Sequence, residues 1–325
     1  MSSHDASAEV AKATKVDQQF ELSNQVVYNG LTSTIFVGAE RSSRLLVAIK
    51  IVMKSRCDGD EESLAVSETL AHADIPSHHN VARFLAAEET SSAILLVTPY
   101  TPYGDLWSLV RYGKTYCEVE VRKCAAQIMN GLKHLHTVCN MVHGDIKPHN
   151  MLLFRAGEQH VVKLCDFGLA QRLGSGNSKI PFQGLRGTSG WFAPEMLANV
   201  SYDSGIDIFA TGLILFRMLA GYSPFDPPSN MRAPAEFDER YWCHTSPACR
   251  DFIARTLSLD PASRITSTAA CQHEWFQGPP PGEPSEEQLQ QLRRFGPPPA
   301  TNVLFWPPGE IPDLEQCCSY FGQNS

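Results

Sequence analysis

From about residue 20 to 110 the apolar positions come in short runs broken by turn residues, the pattern of strands. VVYNGLTSTIFVGAE predicts two strands around a turn at Asn29-Gly30, a strong hairpin dipeptide. LLVAIKIVM (45–53) is a continuous apolar strand interrupted once, by Lys50. DEESLAVSETLAHA (60–73) predicts a helix with an acidic first turn. NVARFLAAEE and AILLVTPY predict two more strands. After Pro102 the period lengthens. Val121, Cys124, Ile128, Leu132 and Leu135 share one face of a helix running to His136, and Thr115 with Glu118 has capping-box spacing. Further helices are predicted at about 206–220 and 248–259. No window approaches about 18 uninterrupted apolar residues, so no membrane span is expected. The longest candidate, Ile206 to Tyr222, carries Arg217 and reads as a buried helix.

The two ends differ from the middle. Residues 1–18 are small, polar and charged, and are expected to be disordered. They hold no apolar stretch of a secretory signal, and Gly does not follow Met1, so no myristoyl anchor is indicated. Residues 277–325 are Pro-rich, with PPPGEP, PPP and WPP. Between these lies SEEQLQQLRRFG (285–296), where Ser285 and Gln288 can cap a short helix. It would show Leu289, Leu292 and Phe295, to dock on the main domain or on a regulatory partner, or to stay loosely packed. Cys317-Cys318 reads as ordinary thiols ahead of an acylation site.

Composition narrows the class. The formal net charge of −8 argues against a protein that tracks a nucleic-acid backbone. Ten cysteines without paired CxxC spacing suit reduced thiols, so a cytoplasmic location is expected, with a nuclear one open.

The chemistry concentrates in VHGDIKPHNMLLF (142–154) and KLCDFGLA (163–170). Phosphoryl transfer needs metal ions on the phosphates, a carboxylate beside the attacking hydroxyl, and positive charge on the moving group. Asp145, Lys147 and Asn150 supply base, cation and amide metal ligand, and Asp166 before Phe167-Gly168 supplies a carboxylate for Mg²⁺. Singly, an Asp or Lys on a loop is ordinarily just solvated; the ordered set carries the argument. His143 reads as a structural core histidine, and Cys165 as a small buried residue.

HGDIKPHN, KLCDFGLA and GTSGWFAPEML resemble the catalytic loop, metal-binding loop and acceptor-binding segment of eukaryotic protein kinases. The resemblance continues in order through VAIK, HHNVARFL, LLVTPYTPYGDL, DIFATGLILFRMLAGYSPF and LSLDPASRITSTAACQHEWF, covering about 20–276. It implies an α+β bilobal fold: a β-rich N-lobe at about 19–98, a hinge at 99–102 and a mainly helical C-lobe at 103–276. It also implies roles. Asp145 accepts the substrate hydroxyl proton, Lys147 steadies the γ-phosphate, and Asn150 and Asp166 hold Mg²⁺. Lys50 grips the α- and β-phosphates of ATP, paired with Glu68 or, as fallback, Glu62. Ala48 and Leu152 sandwich adenine, with Thr98 as gatekeeper, Pro99 to Thr101 as hinge contacts and Asp105 at ribose. Asp207 holds the catalytic-loop backbone and Glu195 pairs with Arg264. Lys147 with Thr188 resembles the Ser/Thr type, and the Glu-Trp-Phe ending is shared by CAMK-like kinases.

The sequence departs from the family in two places. The three glycines of the phosphate-covering loop fall on Tyr28, Gly30 and Ser33, with Ile35 as apolar lid, and only Gly30 survives. Gly144 replaces the Arg that pairs with a phosphorylated activation loop, so phosphate on Ser175 or Ser178 would find no such clamp. The expected function is Mg-ATP-dependent phosphorylation of Ser/Thr hydroxyls on proteins in signalling. The alternative is a pseudokinase scaffold; a small-molecule kinase of the same fold comes third.

Overall fold

The computed structural model describes residues 14–57, 66–110, 115–174, 179–225 and 231–279, except 32, 67, 70 and 158, and also 282, 285, 287, 288 and 290. By its contacts the chain divides into two units. One runs to Pro102 and includes Cys165–Ala170; the other comprises Tyr103–Leu164 and Gln171 onward. The six residues 165–170 thus join the β-rich unit although they lie in the stretch expected of the C-lobe.

The first unit is a five-stranded antiparallel sheet in the order β1-β2-β3-β5-β4. The strands are β1 (Phe20–Asn29), β2 (Ser33–Glu40), β3 (Leu46–Met53), β4 (Ala86–Glu89) and β5 (Ala93–Pro99). Period-two alternation sorts the faces. Val47, Ile49 and Ile51 of β3 are fully buried with Phe36, Leu95 and Val97, while Ala48 and Lys50 point the other way. The predicted strand over NVARFLAAEE forms only at Ala86–Glu89. The preceding residues stay in a loop, where the Ala82 carbonyl meets the His72 ring nitrogen at 2.7 Å.

The expected disorder of residues 1–18 fails for its last part. Thr14–Gln19 form a short helix, α1, and Val16 lies fully buried in the sheet core beside Phe20. The carboxylate of Glu88 accepts the Lys15 and Val16 N–H groups at 2.9 Å each. Neither the cap nor the burial has a local signal, because the partner lies some 72 residues away. Residues 1–13 are outside the described set.

The second unit is mainly helical. α2 (Glu118–Lys133) buries Val121, Cys124, Ile128 and Leu132, and continues through a π-helical turn, His134–Val138, that buries Leu135. The Thr115–Glu118 capping box does not form: Cys117 is the N-cap and makes no side-chain cap. The Glu118 carboxylate is used at long range instead. It accepts the Ser246 N–H and hydroxyl at 2.6 Å each and the Trp275 indole N–H at 2.8 Å. Charge-assisted bonds of this kind outweigh a reciprocal cap.

α3 (Pro194–Leu197) leads into α4 (Gly205–Ala220), which is buried on nearly all sides, as its apolar run requires. Arg217 lies over the Trp191 ring at 4.7 Å, and Gly221, at φ 74°, ends the helix. α5 (Glu239–Trp242), α6 (Pro247–Thr256), α7 (Ser267–Cys271) and α8 (Glu274–Gln277) complete the unit. No helix among the described residues is long and apolar enough to cross a membrane.

The start of the tail is tied down. Arg122 donates to the carbonyls of Phe276, Gly278 and Pro279 at 2.7–2.9 Å. Ser285 and Gln288 cap each other reciprocally, and the Gln288 amide donates to the Cys243 carbonyl at 2.8 Å. Leu289, Leu292, Phe295, Cys317 and Cys318 lie outside the described residues.

His244, next to that contact, yields a pH prediction. Burial, then the nearby Arg250 charge, lower its imidazole from 6.5 to about 4, against a smaller raising effect of the Tyr241 backbone. Between those values the unfolded chain binds a proton that the folded chain does not. Stability is therefore expected to fall as pH falls through that window, by up to about 1.4 kcal/mol per pH unit. Urea midpoints followed across the window should show this extra slope in the wild type and not in His244→Leu.

Candidate active site

Each unit presents its own cluster. In the first, Lys50 is the one cation in the apolar strand β3, on the face away from the core. Its Nζ lies 2.7 Å from Glu68 Oε2 and 3.7 Å from Asp166 Oδ1. Glu68 sits on the helical residues around 66–73; Glu62 lies outside the described residues. Burial alone would lower the Lys50 ammonium's pKa, yet Asp166 and Glu68 together raise it well above the ordinary lysine range. Burial raises the Glu68 carboxyl, against the pull of Lys50.

Asp166 has φ 63°, the left-handed region that costs a non-glycine residue energy. Its neighbour Phe167 is fully buried, with the His72 ring at 4.7 Å. His72 is itself buried. The Ala82 carbonyl satisfies its Nε2, which lets a polar ring be buried there. Ala48 opposes Thr98, Val47 opposes Pro99, and Thr101 is buried. Gly30 donates its N–H to the Ser33 carbonyl at 2.9 Å, and Ile35 opposes Lys50.

In the second unit the stretch HGDIKPHN (143–150) follows β6 (Met141–Val142), which pairs with β9 (Gln171–Arg172). Asp207, at the start of α4, holds the loop. Its carboxylate accepts the N–H of His143 at 2.8 Å, the N–H of Gly144 at 3.0 Å and the His136 ring at 2.8 Å. Burial would raise its pKa, but the His136 hydrogen bond and neighbouring histidine charge hold it below the usual carboxylate range. His136 was visible in the sequence only as the end of a helix. His143 is fully buried, as a core histidine should be.

Asp145 Oδ1 accepts the Thr188 N–H at 3.0 Å and hydroxyl at 2.9 Å. Its Oδ2 faces Lys147 Nζ at 2.6 Å and the Asn150 amide at 3.1 Å. Lys147 also donates to the Thr188 hydroxyl at 2.7 Å. Gly187, at φ 116°, lets this approach occur, since a Cβ there would stand 3.1 Å from Phe192 and 3.5 Å from Asp145. The Asn150 amide nitrogen donates both to the Asp145 side chain and to its carbonyl at 2.9 Å. That leaves its oxygen as the group able to meet a cation. Asp105 caps the turn Leu106–Ser108 and bridges Leu152, which lies on β7 (Met151–Ala156), paired with β8 (Gln159–Leu164). Burial raises the Asp105 carboxyl, partly countered by His149.

The Asn150 amide oxygen in one unit and the half-exposed Asp166 carboxylate in the other are each, taken singly, the kind of hard oxygen donor that Mg²⁺ takes. Among the described residues no group of three His, Cys, Asp or Glu side chains could hold a metal alone.

The protein kinase domain model matches residues 23–276. The chain belongs to the protein kinase family. Its bilobal fold has the β-sheet N-lobe and helical C-lobe described above. The chain is 30% identical over 284 residues to the probable serine/threonine-protein kinase pXi of Dictyostelium discoideum, covering 87% of this chain and 40% of that one. It is 31% identical over 257 residues to human calcium/calmodulin-dependent protein kinase type 1B, covering 77% and 73%. Myosin light chain kinase A of Dictyostelium discoideum is 28% identical over 271 residues, covering 81% and 90%.

Gly144 has φ 81°. A side chain at such a position costs about 1 kcal/mol of backbone strain, so Gly144→Ala should lower unfolding free energy by about that amount in urea titration. Glycine thus holds this conformation without strain.

Proposed function

We propose that this kinase transfers the γ-phosphoryl group of ATP to Ser or Thr hydroxyls of protein substrates, in signalling. The observation that carries this is the closed network of Asp145, Lys147, Asn150 and Thr188. In this reading Asp145 takes the hydroxyl proton as the acceptor oxygen bonds to the γ-phosphorus. The bond to the bridging oxygen breaks and ADP leaves with that electron pair. Lys147 offsets negative charge on the moving phosphoryl group, and Thr188 holds both Lys147 and Asp145 in place. Asn150 and Asp166 would hold Mg²⁺, which neutralises phosphate charge when bound. Lys50, kept charged by Glu68, would meet the α- and β-phosphates. By the family resemblance Ala48, Thr98, Pro99, Thr101, Asp105 and Leu152 would contact the nucleoside. Gly144 means that activation does not run through an Arg–phosphate clamp at that position.

One observation favours the alternative of a scaffold without turnover: Tyr28 in the phosphate-covering hairpin. The reading further places the protein in the cytosol or nucleus, and eight described free cysteines suit a reducing compartment. The tail would offer its segment 285–296 to the domain or a regulatory partner.

The test is transfer of label from [γ-³²P]ATP with Mg²⁺ to a generic basic protein, with phosphoamino-acid analysis. Label on Ser or Thr is expected. Its absence from both substrate and kinase, with folded protein at saturating Mg-ATP, would overturn the reading.

A further inference from the structure

Residues directly opposite in an antiparallel pair share a face of the sheet. Val26 opposes Phe36, and Phe36 opposes Ile49, so Val26 lies on the core face. Regular alternation would keep residue 28 on that face too. Instead Tyr28 opposes Ile35, and Ile35 opposes Lys50. The register shift between Val26 and Tyr28 is a bulge, and it re-aims Tyr28 to the face of Lys50.

The ring then lies against Gly30. A Cβ at Gly30 would stand 2.6 Å from the Tyr28 hydroxyl oxygen and 2.8 Å from the ring. A side chain at Gly30 would have to push the end of this ring aside. The ring packs on this glycine while remaining 55% exposed, so it has open space to move into.

We propose that Tyr28 gates the nucleotide phosphates: its ring lies over Gly30 on the Lys50 face and swings aside before the phosphates approach Lys50 on that face. The proposal rests on the kinase reading above. A binding-competent state populated only in part weakens apparent affinity by that fraction. Removing the ring removes the weakening, whereas removing only the hydroxyl does not. Because the ring acts on the approach of the phosphates, adenosine should be indifferent to it.

The experiment is equilibrium titration of the full chain, wild type, Tyr28→Ala and Tyr28→Phe, with Mg-ATP and with adenosine. Tyr28→Ala is expected to bind Mg-ATP about tenfold more tightly, Tyr28→Phe like wild type, and all three to bind adenosine alike. Binding of Mg-ATP by Tyr28→Ala alone would mark a gate that is closed in the wild type, and supports the proposal. Unchanged or weaker Mg-ATP binding by Tyr28→Ala overturns it, as does an equal gain for adenosine. Failure of every form to bind Mg-ATP or adenosine overturns both the gate and the kinase reading. Tight Mg-ATP binding without label transfer overturns only the latter, and the affinity ratio still decides the gate.

Discussion

Asp145→Asn is expected to reduce phosphoryl transfer by about 10³-fold or more while the protein stays folded, the scale of losing a general base and its charge together. The asparagine is nearly the same size. It can still accept the Thr188 N–H, and the Asp207 contacts to His143 and Gly144 are untouched. What changes is the charge facing Lys147 at 2.6 Å and the capacity to accept a proton. Label transfer and a thermal melt on the same preparation separate chemistry from folding. A variant that retains more than about a tenth of wild-type turnover would show that Asp145 is not the base, since base loss is worth at least about 10²-fold.

Arg264→Ala is expected to cost about 3–5 kcal/mol of stability, the range for leaving one partner of a buried ion pair alone. Arg264 donates to Glu195 through both terminal nitrogens, at 2.6 and 2.9 Å, and the two side chains are 1% and 3% exposed. The guanidinium also lies over Phe209 at 5.0 Å. The double change Arg264→Met with Glu195→Leu removes both charges and should recover a large part of the loss. Urea unfolding of the three proteins gives the comparison. A single variant within about 1 kcal/mol of wild type would mean that water reaches Glu195 and that the pair is not sealed.

The candidate site was legible where a residue's chemistry is unusual for its surroundings. A single lysine inside LVAIKIVM has no reason to be there unless something holds its charge, and Glu68 and Asp166 now stand beside it. The helices were legible where one face is apolar, as in α2, or nearly all faces are, as in α4. The remainder depended on long-range pairing. Thr115 and Glu118 have capping-box spacing, but Ser246 and Trp275 claim the carboxylate from more than a hundred residues away. Val16 sits in a polar stretch, and its burial depends on a sheet that later residues build. The side on which Tyr28 falls depends on a bulge, and a bulge alters register without altering composition.

α1 has a consequence for where this protein can be cut. The match to the protein kinase domain begins at residue 23, inside β1. The hydrophobic interior begins earlier, with Val16 and Phe20 wedged among Phe36, Ile49 and Leu95. The edge of that match and the edge of the foldable body therefore do not coincide. An excised fragment that respects only the first would open a greasy slot along the sheet, and Glu88 would lose the two amides it now holds.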